Sequence, residues 1–361
     1  MILNASKYRS YFGGLWTDMA NAHEEVEAKL AAGIITAQER QLLDHWVEKG
    51  YVIIPNAVPH DVIDQINIDI ELAWKSLDNR VKVAAGSYGT SSLHTSKRDE
   101  PGCRILDFYA LYPSCLEAMF ADKILRFLEI IFDQNILAFQ SLSFEIGTEQ
   151  GMHQDTAYVV LSSPMKLAAS WIALEDIEYG SGELIYYEGS HKIEEFLFEG
   201  IYKHWDGQSL EVHHEYLDAL HSKSQKLNLP LKKFQAKKGD VLIWSADLVH
   251  GGSKINHANP NQTRRSLVTH YCPYNVNPNY FRIAPHNRTK LNFKEGCYYS
   301  SYHHNISERE HKLDEGTFKT IQLQEEIETL KKNINAMENS KFWKLRSVWL
   351  NLKKAIKLDD K

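Results

Sequence analysis

From Ala138 to Tyr271 the chain is written in short apolar or alternating runs, at 138–146, 157–161, 168–174, 183–187, 241–244 and 266–271, with turn-rich gaps between them. Runs of this length are too short for core helices, and their Val, Ile, Tyr and Trp content suits a pleated, half-buried surface. Strands at such intervals predict a mainly β domain, a sandwich or jelly-roll barrel. Residues 191–232 break the series with a charged stretch rich in His and aromatics, read as a helical or loop insertion at the barrel mouth.

Helices flank this region. Residues 20–32 have helical composition ending at Gly33, so 1–35 reads as a peripheral helical segment. Thr36-Ala-Gln-Glu39 is a capping box, in which hydroxyl and carboxylate each satisfy a free amide at a helix start. Leu42, Leu43, Trp46 and Val47 follow at helical spacing and Gly50 supplies the stop. A strand is expected over 51–55 and an amphipathic helix over 61–77, with Val62, Ile66, Ile70 and Ala73 on one stripe.

Strand signals fade after about residue 275. Leu323, Ile327, Leu330, Ile334 and Met337 then alternate in steps of four and three, the seam of a short coiled coil suited to self-association through 323–337. Over 341–357, Phe342, Leu345, Trp349, Leu352 and Ile356 share a face ringed by Lys341, Lys344, Arg346, Lys353, Lys354 and Lys357. That pattern fits a helix lying on an anionic membrane surface or docked on a protein partner. The expected organisation is 1–35, a catalytic domain over 36–305 containing the 191–232 insertion, and a helical tail over 317–358.

The net charge of −6 argues against a protein built to neutralise nucleic-acid phosphates. Cys103, Cys115, Cys272 and Cys297 form no C-x-x-C pair, so neither a disulfide framework nor a zinc knuckle is expected. No stretch approaches the roughly 18 apolar residues of a spanning helix, and the N-terminus lacks an uninterrupted apolar core. The expectation is a cytoplasmic protein, with a peripheral position at the inner membrane face open to it through the tail.

The chemistry concentrates in three places. Gly151-Met-His153-Gln-Asp155 carries an H-x-D, whose alternate residues on extended backbone can offer an imidazole nitrogen and a carboxylate oxygen to one metal ion. In a chain with 17 histidines such a pattern arises by chance, and His213-His-Glu215 is a decoy of the same form. The second half strengthens it. An apolar strand introduced by Lys238-Gly239-Asp240 delivers His250 at the following bend, beside two glycines, completing a His/Asp/His facial triad with positions left for oxygen and a chelating cosubstrate. Fourteen residues later Arg264-Arg265 heads the strand Ser266–Tyr271, where a guanidinium fork can bind a carboxylate in bidentate fashion.

In order and spacing, His153-Gln-Asp155, His250-Gly-Gly and Arg264-Arg-Ser-Leu-Val-Thr-His270-Tyr271 resemble the phytanoyl-CoA dioxygenase family of iron(II)/2-oxoglutarate oxygenases. Ser170-Trp-Ile-Ala-Leu-Glu-Asp176 and Gly182-Glu-Leu-Ile-Tyr-Tyr-Glu-Gly-Ser-His191 add to the likeness, which covers about 36 to 275. The resemblance implies a double-stranded β-helix with iron(II) held by His153, Asp155 and His250. It implies Arg264 as the 2-oxoglutarate clamp, since the family's arginine sits six residues before the strand's last His, with Arg265 the alternative. Oxygen and 2-oxoglutarate would be consumed, with release of succinate and carbon dioxide. An Asp at 155 implies hydroxylation, because halogenating relatives carry a small residue there. Met152 and Glu145 depart from the family's Trp and Lys, near the expected substrate side, and no residue identifies the small-molecule or carrier-linked substrate.

Trp171, on the strand after the ligand pair, is read as lining the cosubstrate pocket, with plain core packing the alternative. His191 reads as a turn residue, Arg104 as an ion-pair partner of Asp107 or a contact to an anionic substrate, and His303-His304 with His311 as surface histidines. Two rival functions remain at this stage: a cupin-type metalloenzyme that does not use 2-oxoglutarate, and an inactive jelly-roll scaffold acting through its C-terminal helix.

Overall fold

The computed structural model describes residues 8–85, 88–93, 98, 100, 102–256, 262–284, 288–306 and 330–331. By its contacts the chain separates into Met1–Ser307 and Glu308–Lys361. The coiled-coil seam and the basic amphipathic helix lie outside the described residues except at Leu330 and Lys331, which are helical.

In the first unit, α1 (Ala22–Ala31) and α2 (Ala37–Lys49) precede β1 (Tyr51–Ile54) and α3 (His60–Ser76). The capping box forms as expected: Glu39 N–H donates to Thr36 Oγ1 at 3.2 Å and Thr36 N–H donates to Glu39 Oε2 at 2.7 Å. Gly50 ends α2 at φ 83°, and a Cβ there would strike the His191 ring, so the position requires glycine on two counts. Next come β2 (Lys82–Ala85), β3 (Tyr88–Ser92), β4 (Arg104–Leu106), α4 (Ser114–Met119) and α5 (Asp122–Phe132). Ile124, Phe127, Leu128 and Ile131 give α5 a continuous buried face.

The remaining strands are β5 (Ile136–Phe144), β6 (Ala168–Ala173), β7 (Leu184–Tyr187), β8 (Leu231–Lys233), β9 (Val241–Ser245), β10 (His250–Gly252), β11 (Ser266–Pro273), β12 (Leu291–Lys294) and β13 (Cys297–Tyr299), with α6 (Leu210–Lys226) between β7 and β8. The large sheet runs β1-β9-β6-β11-β5-β4-β2-β3, and β12 joins it through β13, which pairs parallel with β5. A small antiparallel sheet runs β10-β7-β8.

Strand alternation divides the large sheet's two faces. Val52, Ile172, Val241, Ile243 and Leu267 point to the core shared with the helices, where Ile63, Ile66, Ile70, Phe127 and Leu128 meet them. Tyr51, Ala169, Trp171, Leu242 and Trp244 point the other way, against Leu184 and Tyr186 of the small sheet and Phe234 just past β8. Sheet on sheet with helices behind is the jelly-roll arrangement that the strand spacing predicts.

Three local expectations are corrected. The run 157–161 is not a strand: Asp155–Ala157 is a 3-10 turn, closed by Tyr158 N–H and Val159 N–H donating to Asp155 O at 2.9 and 2.7 Å. His250 does not sit at a bend but opens β10, because Gly251 and Gly252 let the 149–151 backbone approach closely. A Cβ on Gly251 would lie 2.6 Å from Gln150 O. The β12–β13 hairpin falls where strand signals are expected to fade; Leu291-Asn-Phe-Lys294 does alternate, but the hairpin's strands are only four and three residues long. All four cysteines are buried and free, and no helix among the described residues is long and apolar enough to cross a membrane.

Candidate functional site

The H-x-D segment and β10 are locked together by their backbones. His153 N–H donates to His250 O at 2.8 Å and His250 N–H donates back to His153 O at 2.9 Å. Gln154 between the ligands is extended at φ −112°, ψ 140°, which turns His153 and Asp155 toward the same side although no regular strand forms. His153, Asp155 and His250 are all buried, and one candidate ligand atom from each lies within 4.8 Å of the others.

Second contacts orient the three groups. His153 Nδ1 lies 2.8 Å from Gly151 O and His250 Nδ1 lies 2.9 Å from Leu248 O. A carbonyl can only accept, so both Nδ1 atoms carry the proton and both Nε2 atoms present lone pairs; that of His153 accepts from Gln150 Nε2–H at 3.3 Å, a contact a metal ion would replace. The two Nε2 atoms sit 3.9 and 3.6 Å from Asp155 Oδ1. Trp244 Nε1–H donates to Asp155 Oδ2 at 2.8 Å, and His270 Nε2 approaches that oxygen at 3.5 Å. Burial alone would raise the Asp155 carboxyl, but the rings of His250, His270 and His153 hold it well below the usual range. Burial, then the His250 ring, depresses His153 to about 4, so the pair is preset as one carboxylate and neutral imidazole.

Arg264 and Trp171 share this pocket with the triad, together with Phe144, Gln150, Trp244 and His270. Arg264 is 3% exposed. Its guanidinium carbon lies 5.5 Å from the Phe144 ring centre and 5.6 Å from that of Trp171. It makes no ion pair among the described residues, and its Nε and the Trp171 Nε1 are buried without a hydrogen-bond partner. Burial lowers the guanidinium to about 10 against the pull of Glu183 and Glu175, and no carboxylate among the described residues pairs with it directly. Arg265 points to the sheet's opposite face, where its Nη2 donates to Glu71 Oε1 at 2.7 Å and Glu145 Oε1 at 3.1 Å; Arg98 binds the same two carboxylates. Of the two arginines, the pocket receives Arg264.

Sequence reasoning missed the supports behind the H-x-D segment. Thr156 Oγ1–H donates to Asp247 Oδ1 at 2.7 Å and Gln154 Nε2–H donates to Asp247 O at 2.8 Å. The Asp247 carboxylate is paired in turn with Lys203, 4% exposed, at 2.5 Å. Tyr216 on α6 accepts from Gln154 N–H at 2.9 Å. Val212, Tyr216 and Leu220 repeat every fourth residue, a stripe that marks this face of α6 in the sequence, whereas Lys203 has no such signal. The decoy His213 stays out of the triad, its Nε2 lying 2.7 Å from the Tyr158 hydroxyl. His191 sits in a 3-10 turn with Nε2 3.2 Å from Val47 O. Among the described residues, His153, Asp155 and His250 are the one group able to hold a metal ion, so His303 and His304 do not form another.

The family model described as phytanoyl-CoA dioxygenase (PhyH) matches residues 46–265. The peroxisomal phytanoyl-CoA dioxygenase of Mus musculus is 23% identical over 259 residues, covering 67% of this chain and 70% of the relative. That of Rattus norvegicus is 22% identical over 276 residues, covering 70% and 73%. Among solved structures, the non-heme alpha-ketoglutarate dependent carbocyclase SnoK from nogalamycin biosynthesis superposes with a TM-score of 0.50 at 15% identity, covering 68% of this chain and 87% of that one, a likeness of fold.

Proposed function

The chain belongs to the phytanoyl-CoA dioxygenase family, and from that premise we propose that it is a hydroxylase whose iron is held by His153, Asp155 and His250 and whose 2-oxoglutarate is anchored by Arg264. It is a 2-oxoglutarate-dependent oxygenase, and iron(II) and 2-oxoglutarate are its cofactors. The observation that carries the residue assignment is the union, in one pocket, of a buried His/Asp/His cluster and a buried arginine with no carboxylate of its own.

The donor set fits both groups. Two imidazole Nε2 atoms and one carboxylate oxygen, with none of the cluster's own thiols or further acids, suit a facial site for iron(II). The orphaned Arg264 Nε and Trp171 Nε1 are what a dicarboxylate would satisfy. When bound, iron and 2-oxoglutarate supply the oxidising chemistry that couples loss of carbon dioxide, leaving succinate, to oxygen insertion into a C–H bond. The chain's own residues do the rest. Gly151 O and Leu248 O fix both histidine tautomers, Trp244 orients Asp155, and Phe144 and Trp171 cover the Arg264 fork and exclude water. Asp155 supports hydroxylation, since its carboxylate fills the position that halogenating relatives leave to a small side chain. The substrate is a small or carrier-linked molecule.

The test is anaerobic titration of the full chain with iron(II) and then 2-oxoglutarate, following the weak visible charge-transfer band of the chelate. A band that disappears in both Asp155→Ala and Arg264→Ala supports the assignment, and candidate substrates are then scored by succinate release. No band at saturating iron and 2-oxoglutarate sinks it.

A further inference from the structure

Arg104 has a setting that the iron site does not account for. It opens β4, which lies between β5 and β2 in the large sheet. On one side the register pairs Arg104 with Phe144 and Leu106 with Leu142; on the other it pairs Arg104 with Ala84 and Leu106 with Lys82. Residues directly opposite across a ladder project from the same face. Phe144 and Leu142 line the iron pocket, whereas the alternate residues Ile105 and Val83 lie in the helix-side core. Arg104 and Lys82 therefore face the pocket side, one and two strands out from its wall, or about 5 and 10 Å at normal strand spacing.

Among the described residues, neither cation has a carboxylate partner there. Arg104 is half-buried, and its one hydrogen bond among the described residues is from Nη1 to Gly102 O at 3.3 Å. Asp107, the partner expected from sequence, is occupied elsewhere: its carboxylate accepts from Ser141 N–H at 2.9 Å, Ser301 Oγ–H at 2.7 Å and His303 N–H at 3.4 Å. Burial depresses the Arg104 guanidinium with no carboxylate to offset it. Lys82 makes no ion pair among the described residues. The His303 ring feels the same pair: burial lowers its pKa first, Asp107 opposes, and the charges of Arg104 and Lys82 lower it further. The contrast with Arg98 and Arg265 is direct, for those two arginines on the helix side share Glu71 and Glu145. The donors that this half-buried guanidinium leaves open reach water, and a bound oxyanion can take the water's place with a full charge opposite.

We propose that Arg104 and Lys82 form an anion subsite beside the iron pocket, which takes a phosphate or carboxylate group of the substrate while its C–H bond is presented to the iron. This rests on the oxygenase reading and narrows it to anionic substrates. The two charges lie on neighbouring strands and suit an oxyanion bound by a guanidinium fork with an ammonium beside it.

The experiment uses the full chain loaded anaerobically with iron(II) and saturating 2-oxoglutarate, so that Arg264 is already engaged. Calorimetric titrations with inorganic phosphate and, separately, acetate are run at constant ionic strength. Saturable heat from either ion, weakened at least about tenfold in Arg104→Gln and less in Lys82→Gln, supports the subsite, and the ion that binds identifies the group. Lys226→Gln, on exposed α6, controls for the change in net charge and keeps wild-type affinity. The charge-transfer band in each variant reports an intact pocket; should Arg104→Gln lose it, Lys82→Gln and Arg104→Lys carry the comparison. No saturable heat with either ion, or equal affinity in band-competent Arg104 and Lys82 variants, overturns the proposal. A wild-type chain that binds the anion through Arg104 and never yields the band refutes the oxygenase reading instead.

Discussion

Replacing Arg264 and Arg265 one at a time separates two adjacent arginines that differ only in which face they take. Arg264 is buried over Phe144 and Trp171 with no acid of its own, so its full donor fork is free for the distal carboxylate of 2-oxoglutarate. A hydrogen bond to a charged group is worth about 1.5–3 kcal/mol, and two in a bidentate pair, partly offset by desolvation, come to about 3 kcal/mol. At about 1.4 kcal/mol per decade, Arg264→Ala is expected to weaken 2-oxoglutarate about 150-fold. Iron(II) affinity measured without 2-oxoglutarate stays near wild type, because the three ligand side chains are untouched. Arg264→Lys keeps the charge and loses the fork, giving an intermediate loss. Arg265→Ala removes partly exposed contacts to Glu71 and Glu145 that Arg98 still serves, so it costs about 1 kcal/mol of stability and leaves 2-oxoglutarate affinity unchanged. The midpoint of the anaerobic charge-transfer titration reads all three. Loss of affinity in Arg265→Ala with retention in Arg264→Ala would refute the argument from faces.

Three further outcomes are expected. Trp244→Phe removes the indole N–H that orients Asp155 Oδ2 and should cost about 10–100-fold in iron(II) affinity, measured by competition with a chelator. Lys203→Met leaves Asp247 buried without its cation and should destabilise the fold by about 3–5 kcal/mol in denaturant unfolding; wild-type stability would mean that the pair carries nothing. His191, depressed by burial and then Lys192 to about 3 from 6.5, should lower stability as pH falls from about 6.5 toward 3. In that window the unfolded chain takes up a proton that the folded ring refuses. His191→Gln should flatten this part of the profile, and a slope identical to wild type would remove His191 as its source.

The legible parts of this fold are those where one residue's chemistry decides the local geometry. Thr36 and Glu39 write the start of α2, Gly50 writes its end, and the Val241–Ser245 run is apolar on both faces because helices cover one side and the small sheet the other. The gathering of His153, Asp155 and His250 was legible for a related reason, since H-x-D needs only one extended residue between its two side chains and Gln154 supplies it. The segment after it was not. Ala157 to Leu161 has strand composition, but Thr156 is drawn to Asp247 and the turn at Asp155 closes before a ladder can form. Long-range partners decide that outcome, and Asp247 lies 91 residues from Thr156 in the chain. The hairpin at Leu291–Tyr299 escaped detection because its pairing partner is the distant β5 and its strands are only four and three residues long.

The same alternation that assigns Arg264 also bears on Glu145. In the sequence its acidic side chain departs from the lysine of many relatives and suggests an altered substrate side. In the structure Phe144 takes the pocket face and Glu145 the helix side, where it joins Glu71 in holding Arg98 and Arg265. A carboxylate at 145 is therefore matched to Arg98 and Arg265, and that cluster closes on itself on the helix side, away from the iron pocket. Selectivity must then be sought on the pocket face of the same strands. There, Arg104 opposite Phe144 is the charged side chain left without a counter-charge among the described residues one strand from the pocket wall.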